Sequence, residues 1–598
     1  MRVVQLCRLR SALKLSFAVA LALASGFYFQ LEIPRWAVVT AVIVIAGPAF
    51  VAGQEPYSGA IFHRSLLRVV GTLLGGMVGL LIMFLAARAP VVMLLLCCLW
   101  IGVCTWRSSL VRVEYAYAWA LSGYTVLILI VTVTSTPGTL SLAPEFVIER
   151  ISEVMFGICC AFIAEVIFMP RSAKADIDDL VEQIFISHYQ IMRSLCLSLG
   201  GNVPREQWLV LHQLHIKLES TLNLLARESS RWEKCAHRGK KLYALSLSIL
   251  TCSHEVQRDL SQNKMILAES LSRQFETKIY ESPGIRHQLR SLHHSLLSSK
   301  SNPLQLKILY WLGGMIRYRL LVRGIFSNCA YLPVESKLLR KTEPAIVKSA
   351  EQFSSAINGL RAFVASMTCV AIWGWTGWTS ASGFMVVIAV MCSLAMRTTN
   401  PQKTGLDFVL GMLIALPLGM FYFLVVLPMT QQNLMLLLIS MVLLIFVIGW
   451  EGQKKRIGAM GTLMGVLNLL VLSNPMVFNF NAFIDAALGQ LIGSLIGYLV
   501  ILIFPDNSQA VTRRALITCL RREVFHQLRS SVRNSSQLPQ MYAYYNRLEQ
   551  IEPTDVLALN LAMNLIMDYH EMAHENLLRV NAGAEQDAIE VICAKKLG

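Results

Sequence analysis

Residues 69–87 have the sequence VVGTLLGGMVGLLIMFLAA, an apolar stretch without a single charged side chain. A helix that crosses a bilayer needs about 20 mostly apolar residues, so this stretch predicts a transmembrane helix. Similar stretches recur in two groups of six, separated by a long polar region. The predicted spans are 11–31, 36–52, 67–87, 90–106, 117–136 and 148–169 in the first group, and 359–376, 380–396, 405–427, 433–450, 456–473 and 481–504 in the second.

The composition of the 598-residue chain agrees with a polytopic membrane protein. Hydrophobic residues make up 55% of the chain and charged residues only 15%, whereas a typical globular chain has about 25% charged residues. The mean hydropathy of +0.54 excludes disordered, collagen-like and coiled-coil classes. The formal net charge of +16 predicts basic cytoplasmic loops rather than a nucleic-acid partner, because cytoplasmic loops are enriched in Lys and Arg.

Each group of predicted spans is followed by a polar region. We therefore predict an all-α membrane protein in four parts: a transmembrane repeat at 1–170, a helical cytoplasmic domain at 171–358, a second repeat at 359–504 and a helical cytoplasmic C-terminal domain at 505–598. The central region contains 26 Lys and Arg against 16 Asp and Glu. This positive charge predicts contact with anionic lipid headgroups.

The loops between spans predict the orientation in the membrane. Basic residues alternate with loops that contain no Lys or Arg, such as 374–383, 428–433 and 473–485, and basic loops face the cytoplasm. Both termini and both polar regions are therefore expected in the cytoplasm. The basic residues are Arg2, Arg8, Arg10, Lys14, His63, Arg64, Arg68, Arg107, Arg112, Arg171, Lys174, Arg397, Lys403, Lys454, Lys455, Arg456, Arg513 and Arg514.

The two groups of spans resemble each other in their small residues. Span three has Gly71, Gly75 and Gly79 at every fourth position, and span nine has Gly411 and Gly419 at an offset of 340. Spans six and twelve match at an offset of 332, which pairs Glu153 with Asp485 and Gly157 with Gly489. Because six is even, two copies of a six-span unit have the same orientation, which predicts a parallel repeat with a pathway between the halves. Close helix packing is the simplest role for the small residues.

Ionisable and tryptophan residues near the ends of the spans are the candidate functional residues, because a charge within the bilayer is costly. An arginine could hold a carboxylate, an indole could stack on an aromatic ring, and Glu153 and Asp485 could transfer protons. Structural ion pairs and an interfacial aromatic belt are the alternatives. The candidates for substrate binding or coupling are Arg35, Trp36, Arg68, Arg150, Glu153, Arg361, Trp375, Trp378, Arg397, Asp407 and Asp485.

The C-terminal region contains HEMAH at residues 570–574, a literal match to the H-E-x-x-H zinc motif. The chain offers no third ligand at the usual spacing, so we interpret this stretch as a solvated helical face. The fourteen cysteines form no C-x-x-C pair, and no nucleotide-binding signature is present. We therefore predict no metal, no cofactor and no enzymatic activity.

Several longer motifs extend over nearly all of the membrane part and the central polar region. They are LEIPRWAV at 31–38, AGPAF at 46–50, EPYSGAI at 55–61, RVVGT at 68–72, ESSRW at 228–232, WTGWTS at 375–380, QKKRIG at 453–458 and NPM at 474–476. Together these motifs resemble the fusaric-acid-resistance family. The resemblance implies an inner-membrane protein that exports aromatic carboxylic acids such as p-hydroxybenzoate. It also implies a periplasmic adaptor of the membrane-fusion type as partner.

An exported aromatic acid is an anion at cytoplasmic pH, since ordinary carboxyl pKa values lie near 4. We expect the anion to be gathered at a basic inner face near Arg68, Arg361 and Arg397 and to be released at the outer face. A channel for organic anions and a membrane-anchored metalloenzyme are the alternatives. The preferred acid, proton coupling and the formation of a homo-oligomer stay open.

Overall fold

The structure is a computed structural model of the chain, and it describes most of the residues. The described ranges are 2–31, 33–52, 56–110, 113–135, 139–168, 171–197, 203–228, 230–262, 289, 291–293, 303–324, 352–377, 381–395, 401–431, 433–454, 458–470, 478–504, 509–529, 538–551 and 555–580. Within these ranges the regular elements are helices, and no strand is present.

Nineteen helices follow one another in the described part of the chain. They are α1 (Arg2–Tyr28), α2 (Arg35–Ala52), α3 (Ser58–Ala86), α4 (Pro90–Leu110), α5 (Val113–Ser135), α6 (Ala143–Ile167), α7 (Lys174–Leu197), α8 (Arg205–Leu225), α9 (Ser230–Gln262), α10 (Pro303–Gly324), α11 (Gln352–Thr376), α12 (Ala381–Ala395), α13 (Pro401–Met429), α14 (Leu434–Gly452), α15 (Ala459–Leu469), α16 (Phe480–Ile503), α17 (Gln509–Arg529), α18 (Leu538–Ile551) and α19 (Val556–Val580).

The chain divides into two compact units. The first, here called the membrane unit, comprises Met1–Ser172 and Glu351–Thr512. The second, here called the polar unit, comprises Ala173–Ala350 and Arg513–Gly598. The two polar regions, which the sequence separates by a group of spans, therefore fold as one unit.

A helix forms at each of the twelve apolar segments predicted in the membrane unit. Eight of the helices in the described part of the chain are long and apolar enough to cross a membrane, namely those within α1, α3, α4, α5, α11, α13, α14 and α16. The apolar parts of α2 and α15 are shorter, α12 has 15 residues, and α6 contains several charged residues. The prediction of an all-helical protein with multiple apolar spans is confirmed, while the count of twelve spans stays a prediction.

Glycines set the closest helix contacts in the membrane unit. A methyl group at Gly71 would lie 2.7 Å from the carbonyl oxygen of Ala118, so α3 packs directly on the backbone of α5. Likewise, a methyl group at Gly411 would lie 2.7 Å from the Cα of Gly461, which brings α13 against α15. The packing role predicted for the small residues is confirmed, because no larger side chain fits at these positions.

The contacts of α1 to α6 recur among α11 to α16. The pairs α1–α2, α2–α3, α2–α6, α1–α6, α3–α5, α3–α6, α4–α5 and α5–α6 have the counterparts α11–α12, α12–α13, α12–α16, α11–α16, α13–α15, α13–α16, α14–α15 and α15–α16. Contacts between the two groups are also reciprocal, since α1 packs on α14 and α11 packs on α4. In these pairs, each helix of the first group thus packs against helices that correspond to the neighbours of its counterpart in the second group.

The same contacts correct the register proposed for spans six and twelve. Arg10 of α1 donates hydrogen bonds to the carbonyl oxygen of Phe168, and Arg361 of α11 does the same to Phe504. These two acceptors are 336 positions apart in the sequence. A second pair has the same offset, because Gly157 packs on the carbonyl of Ala37 and Gly493 on that of Phe384. At this offset Asp485 corresponds to Glu149, so its pairing with Glu153 at an offset of 332 is wrong.

Helix α13 differs from its counterpart α3 in one respect. Pro417 lies inside α13, and the helix continues through a π-helical turn at Tyr422–Val426 before it ends at Met429. Proline has no backbone N–H, and its ring displaces the carbonyl four residues earlier, so Pro428 leaves the carbonyl of Leu424 inside the π-helical turn without its usual helical partner. Helix α3 runs from Ser58 to Ala86 without a proline.

In the polar unit, α9 is the central helix. Helices α7, α8, α10, α18 and α19 all pack against it. The leucines Leu211, Leu218, Leu222 and Leu225 of α8 are buried, as their helical spacing predicts. The core also contains buried histidines, which come from α7, α8 and α19, and the half-buried His254 of α9.

Candidate functional site

Helices α2, α3, α5 and α6 bring several polar side chains together inside the apolar membrane unit. We call this group the arginine cluster. Its members are Arg35, Trp36, Thr40, Arg68, Tyr117, Arg150 and Glu153. Five of them were candidates from the sequence, and the structure places them beside one another although they lie up to 118 positions apart.

Arg68 lies in the interior of the cluster with 1% of its surface exposed. Its Nε and Nη2 donate hydrogen bonds of 3.2 and 3.0 Å to Thr40 Oγ1, and its Nη1 donates one of 2.8 Å to Tyr117 OH. Both acceptors are neutral hydroxyl groups, so neither cancels the charge of the guanidinium. Arg68 follows the start of α3 by ten residues and therefore lies about 15 Å along that helix, near the beginning of the span predicted at 67–87.

Two arginines stack on the indole ring of Trp36. The Cζ of Arg150 lies 3.6 Å from the ring centroid, and the Cζ of Arg35 lies 4.8 Å from it. Arg35 also donates a hydrogen bond of 3.2 Å to the carbonyl oxygen of Asn468 in α15. The contacts of Arg150 and Arg35 with the ring of Trp36 are cation–π contacts, which hold a guanidinium in place without using its N–H groups.

Arg150 and Glu153 retain buried polar atoms that are available to a ligand. Arg150 is 6% exposed, and its Nε and Nη1 have no hydrogen-bond partner among the described residues. Glu153 is 2% exposed, and within the same described part of the chain its Oε1 has none either. A buried N–H without a partner is costly, so such groups indicate a place for an additional acceptor.

A separate ion pair connects α1 with α6. Lys14 Nζ lies 2.9 Å from Glu165 Oε2, and both side chains are buried. From the sequence, Lys14 was expected to be one of the basic residues on the cytoplasmic side of the first span. The structure instead gives its charge a buried partner, which explains how a lysine is tolerated inside the bundle.

The remaining candidates lie outside the arginine cluster. Arg361 is buried, and its donors go to the carbonyl oxygen of Phe504 and to Asn358 Oδ1, so it caps the end of α16. Arg68 and Arg361 were expected to gather the anion together at one basic inner face. Instead they bind different partners in two separate places. Asp407 and Asp485 are half-buried on α13 and α16, and Trp375 is 90% exposed. Arg397 and Trp378 lie outside the described residues.

The sequence analysis did not identify Thr40 and Tyr117. Both lie in apolar spans, where a hydroxyl group causes no break in the hydropathy pattern. The one available signal was Arg68 itself, since a buried arginine with five N–H groups needs acceptors nearby. Which spans supply these acceptors depends on how the helices pack.

The HEMAH stretch belongs to a structural network in the polar unit. His570 contacts Glu255 Oε1 through Nδ1 at 2.8 Å and Ser248 Oγ through Nε2 at 2.9 Å, so both ring nitrogens are engaged. Glu571 forms ion pairs with Arg258 and Lys307. Among the described residues, no group of three His, Cys, Asp or Glu side chains is placed to bind a metal. The motif therefore connects α19 to α9 and α10.

The fold and the cluster together define a class: helical membrane proteins with several apolar spans and a buried group of arginines between them. Comparison with known proteins identifies the family. The model of the fusaric acid resistance protein family matches residues 8–555, and the chain belongs to this family.

Similar proteins are known from Yersinia. The p-hydroxybenzoic acid efflux pump subunit AaeB of Yersinia pestis (strain Pestoides F) is 42% identical over 581 residues, which cover 96% of this chain and 88% of the relative. The protein of the same name from Yersinia pseudotuberculosis serotype O:1b (strain IP 31758) gives the same values. No solved structure matches the chain.

Proposed function

We propose that this chain is the membrane subunit of an efflux pump that exports aromatic carboxylic acids across the bacterial inner membrane. The observation that carries the proposal is the arginine cluster, a net positive and aromatic-lined group buried in a bundle of apolar helices. A buried excess of positive charge favours an anionic ligand, and the indole ring favours an aromatic one. The similar Yersinia proteins are named as p-hydroxybenzoic acid efflux pump subunits.

The architecture that we propose is twelve spans in two parallel repeats of six, with both termini and the polar unit in the cytoplasm. The reciprocal contacts of α1 to α6 and α11 to α16 support the repeat. The basic residues that flank alternate loops, together with intervening loops without Lys or Arg such as 374–383, 428–433 and 473–485, support the orientation. A repeat of this kind places the transport pathway near the interface of the two halves.

The membrane potential suffices in principle to drive export of a monoanion. An interior-negative potential assists outward movement by about 2.3 kcal/mol per charge per 100 mV. Exchange with protons would add to this driving force without being required by it. The word "subunit" in the names of the relatives supports a further component, for which we propose a periplasmic adaptor of the membrane-fusion type.

Transport in inside-out membrane vesicles tests the proposal. The cytoplasmic face of such vesicles points outward, so export appears as uptake into the lumen. We expect uptake of radiolabelled 4-hydroxybenzoate into vesicles that contain the protein, and faster uptake when the lumen is positive, because a positive lumen attracts the anion. Vesicles without the protein provide the background, and a panel of aromatic acids defines the preference. An added acceleration by an acidic lumen would indicate proton exchange, whereas single-channel currents without dependence on a pH gradient would favour an anion channel. Absence of uptake for every acid in the panel would contradict the proposal.

A further inference from the structure

The arginine cluster is confined to the first half of the membrane unit. Arg68 precedes Gly71 by three residues, and the matching position before Gly411 is Phe408. Thr40 follows Ala37 by three residues, and the matching position after Phe384 is Val387. At the offset of 336 established for α6 and α16, Arg150 corresponds to Ala486 and Glu153 to Gly489.

In the second half, the corresponding place is an apolar cluster. Val387 and Phe408 are buried together with Met391, Met412 and Ile501. Val387 and Phe408 thus take the positions that Thr40 and Arg68 occupy in the first half, so apolar side chains replace these two polar groups. The two halves therefore share helix contacts but differ in the chemistry between α2, α3 and α6 and between their counterparts α12, α13 and α16.

The charge of the arginine cluster is unbalanced. The cluster contains three arginines and one carboxylate, that of Glu153, while Glu149 lies half-buried next to the cluster on α6. Within the described ranges, Arg68 donates to the hydroxyl groups of Thr40 and Tyr117, and Arg150 has two buried N–H groups without a partner. Buried charges are normally paired, so this place favours an additional anion.

Arg150 is the group best placed to bind that anion. Its guanidinium lies on the indole of Trp36 at 3.6 Å, which fixes its position through the ring face. The N–H groups lie in the plane of the guanidinium and are left available to a carboxylate. Arg68 lies near enough for the two positive charges to interact electrostatically, which strengthens the attraction for an anion.

We propose that the arginine cluster binds the carboxylate of the transported acid through Arg150, and that each chain has one such site because the second half has an apolar cluster in its place. This inference rests on the proposed function and names the binding residue for it.

Isothermal titration of 4-hydroxybenzoate into the purified full-length protein in lipid nanodiscs tests the stoichiometry. We expect one molecule bound per chain. Two molecules per chain would overturn the single-site inference without any variant being made. The alcohol analogue 4-hydroxybenzyl alcohol, which lacks the carboxylate, should bind at least tenfold more weakly.

Arg150→Gln tests the residue. We expect at least a tenfold loss of affinity for 4-hydroxybenzoate and no change for the alcohol analogue. Arg88→Gln is the matched control, because it removes the same charge from an exposed position between α3 and α4. If Arg150→Gln does not fold, Arg150→Lys retains the charge but not the planar donor set, and it should bind the acid more weakly than the wild-type protein.

The two proposals fail in different ways. If the wild-type protein transports 4-hydroxybenzoate but Arg150→Gln and Arg150→Lys bind it with unchanged affinity, the inference about Arg150 is wrong and the proposed function stands. If the wild-type protein neither transports nor binds any acid of the panel, the proposed function is wrong.

Discussion

Arg68 shows why a buried charge in this protein has consequences beyond its own contacts. The side chain is 1% exposed, and its guanidinium donates to Thr40 and Tyr117, which are both neutral. Arginine stays protonated under all ordinary conditions, so the cluster keeps this positive charge. Burying an unpaired charge costs free energy, and an anion that passes close to Arg68 would offset this cost.

Replacing Arg68 with Gln should lower export of 4-hydroxybenzoate at least tenfold while the protein stays folded. Gln retains a donor for Thr40 or Tyr117 but removes the charge that attracts the anion. Vesicle uptake rates measure the effect, and size-exclusion profiles of the purified variant check folding. Arg88→Gln should transport like the wild-type protein. Uptake by Arg68→Gln at the wild-type rate would remove Arg68 from the transport pathway.

His570 illustrates the opposite outcome at a single residue. The HEMAH stretch was predicted to be a solvated helical face, and this prediction is wrong, because His570 is buried and both of its ring nitrogens contact groups of α9. Glu571 pairs with Arg258 and Lys307. His570 and Glu571 lie on the part of α19 that packs against α9 and α10, so the spacing of the motif serves helix packing. A short pattern of two His and one Glu therefore says little until the neighbouring helices are known.

At the level of the helices, glycine determines how closely α6 approaches α2. A methyl group at Gly157 would lie 2.8 Å from the Cβ of Thr40 and closer still to the carbonyl oxygen of Ala37. The backbone of α2 cannot move aside without disturbing Trp36 and Thr40. The geometry of the arginine cluster thus depends on Gly157, a residue that is not itself a member of the cluster.

Gly157→Ala should destabilise the membrane unit by about 1–3 kcal/mol, the usual cost of overpacking a tight contact. Thermal unfolding in detergent, followed by fluorescence-detected size exclusion, measures the shift in melting temperature. Gly374→Ala is the matched control, because no atom lies within 4 Å of a methyl group placed there. Equal melting temperatures for the two variants would contradict the close contact of α6 with α2.

On the scale of the whole molecule, the polar unit contains a group of histidines that are buried and uncharged. Burial lowers the pKa of His188 and His212 well below the usual imidazole range. It lowers the pKa of His215 to about 4 and that of His254 to about 3. The pKa values of these groups return to about 6.5 on unfolding. Below that pH the unfolded chain takes up protons that the folded chain excludes.

The stability of the polar unit should therefore fall as the pH decreases from about 6.5 toward 4, and be fully present above 6.5. Each of these histidines contributes up to about 1.4 kcal/mol per pH unit to this loss. Calorimetry of the full-length protein at pH 7.5 and pH 5.0 should show a lower unfolding temperature at the acidic pH.

Two variants sharpen this measurement. His254→Phe should reduce the pH dependence, because a phenyl ring can keep the stack on Trp208, whose ring centroid lies 3.8 Å from that of His254. His526→Phe changes an exposed histidine of α17 and should leave the pH dependence as it is. An unfolding temperature that is equal at the two pH values would contradict the prediction.

Much of the fold could be predicted because hydropathy acts locally. Each of the twelve apolar segments forms a helix, since a long apolar stretch satisfies its backbone hydrogen bonds within itself. The candidate site was predictable in part, because charged residues such as Arg68, Arg150 and Glu153 stand out within apolar stretches. Their partners Thr40 and Tyr117 do not stand out, and the correspondence between positions of α6 and α16 came only from tertiary contacts, those of Phe168 and Phe504 and those of Gly157 and Gly493.

The sequence by itself determined that the chain is helical, largely apolar and provided with a few buried charges, because composition and periodicity are properties of the chain alone. Tertiary structure alone decided which of those charges meet. It placed Arg68 and Arg150 in one cluster, assigned Arg361 to the end of α16, and filled the corresponding place of the second half with Val387 and Phe408. The physical reason is that electrostatic and packing energies depend on distances between helices, and these distances arise only when the helices pack.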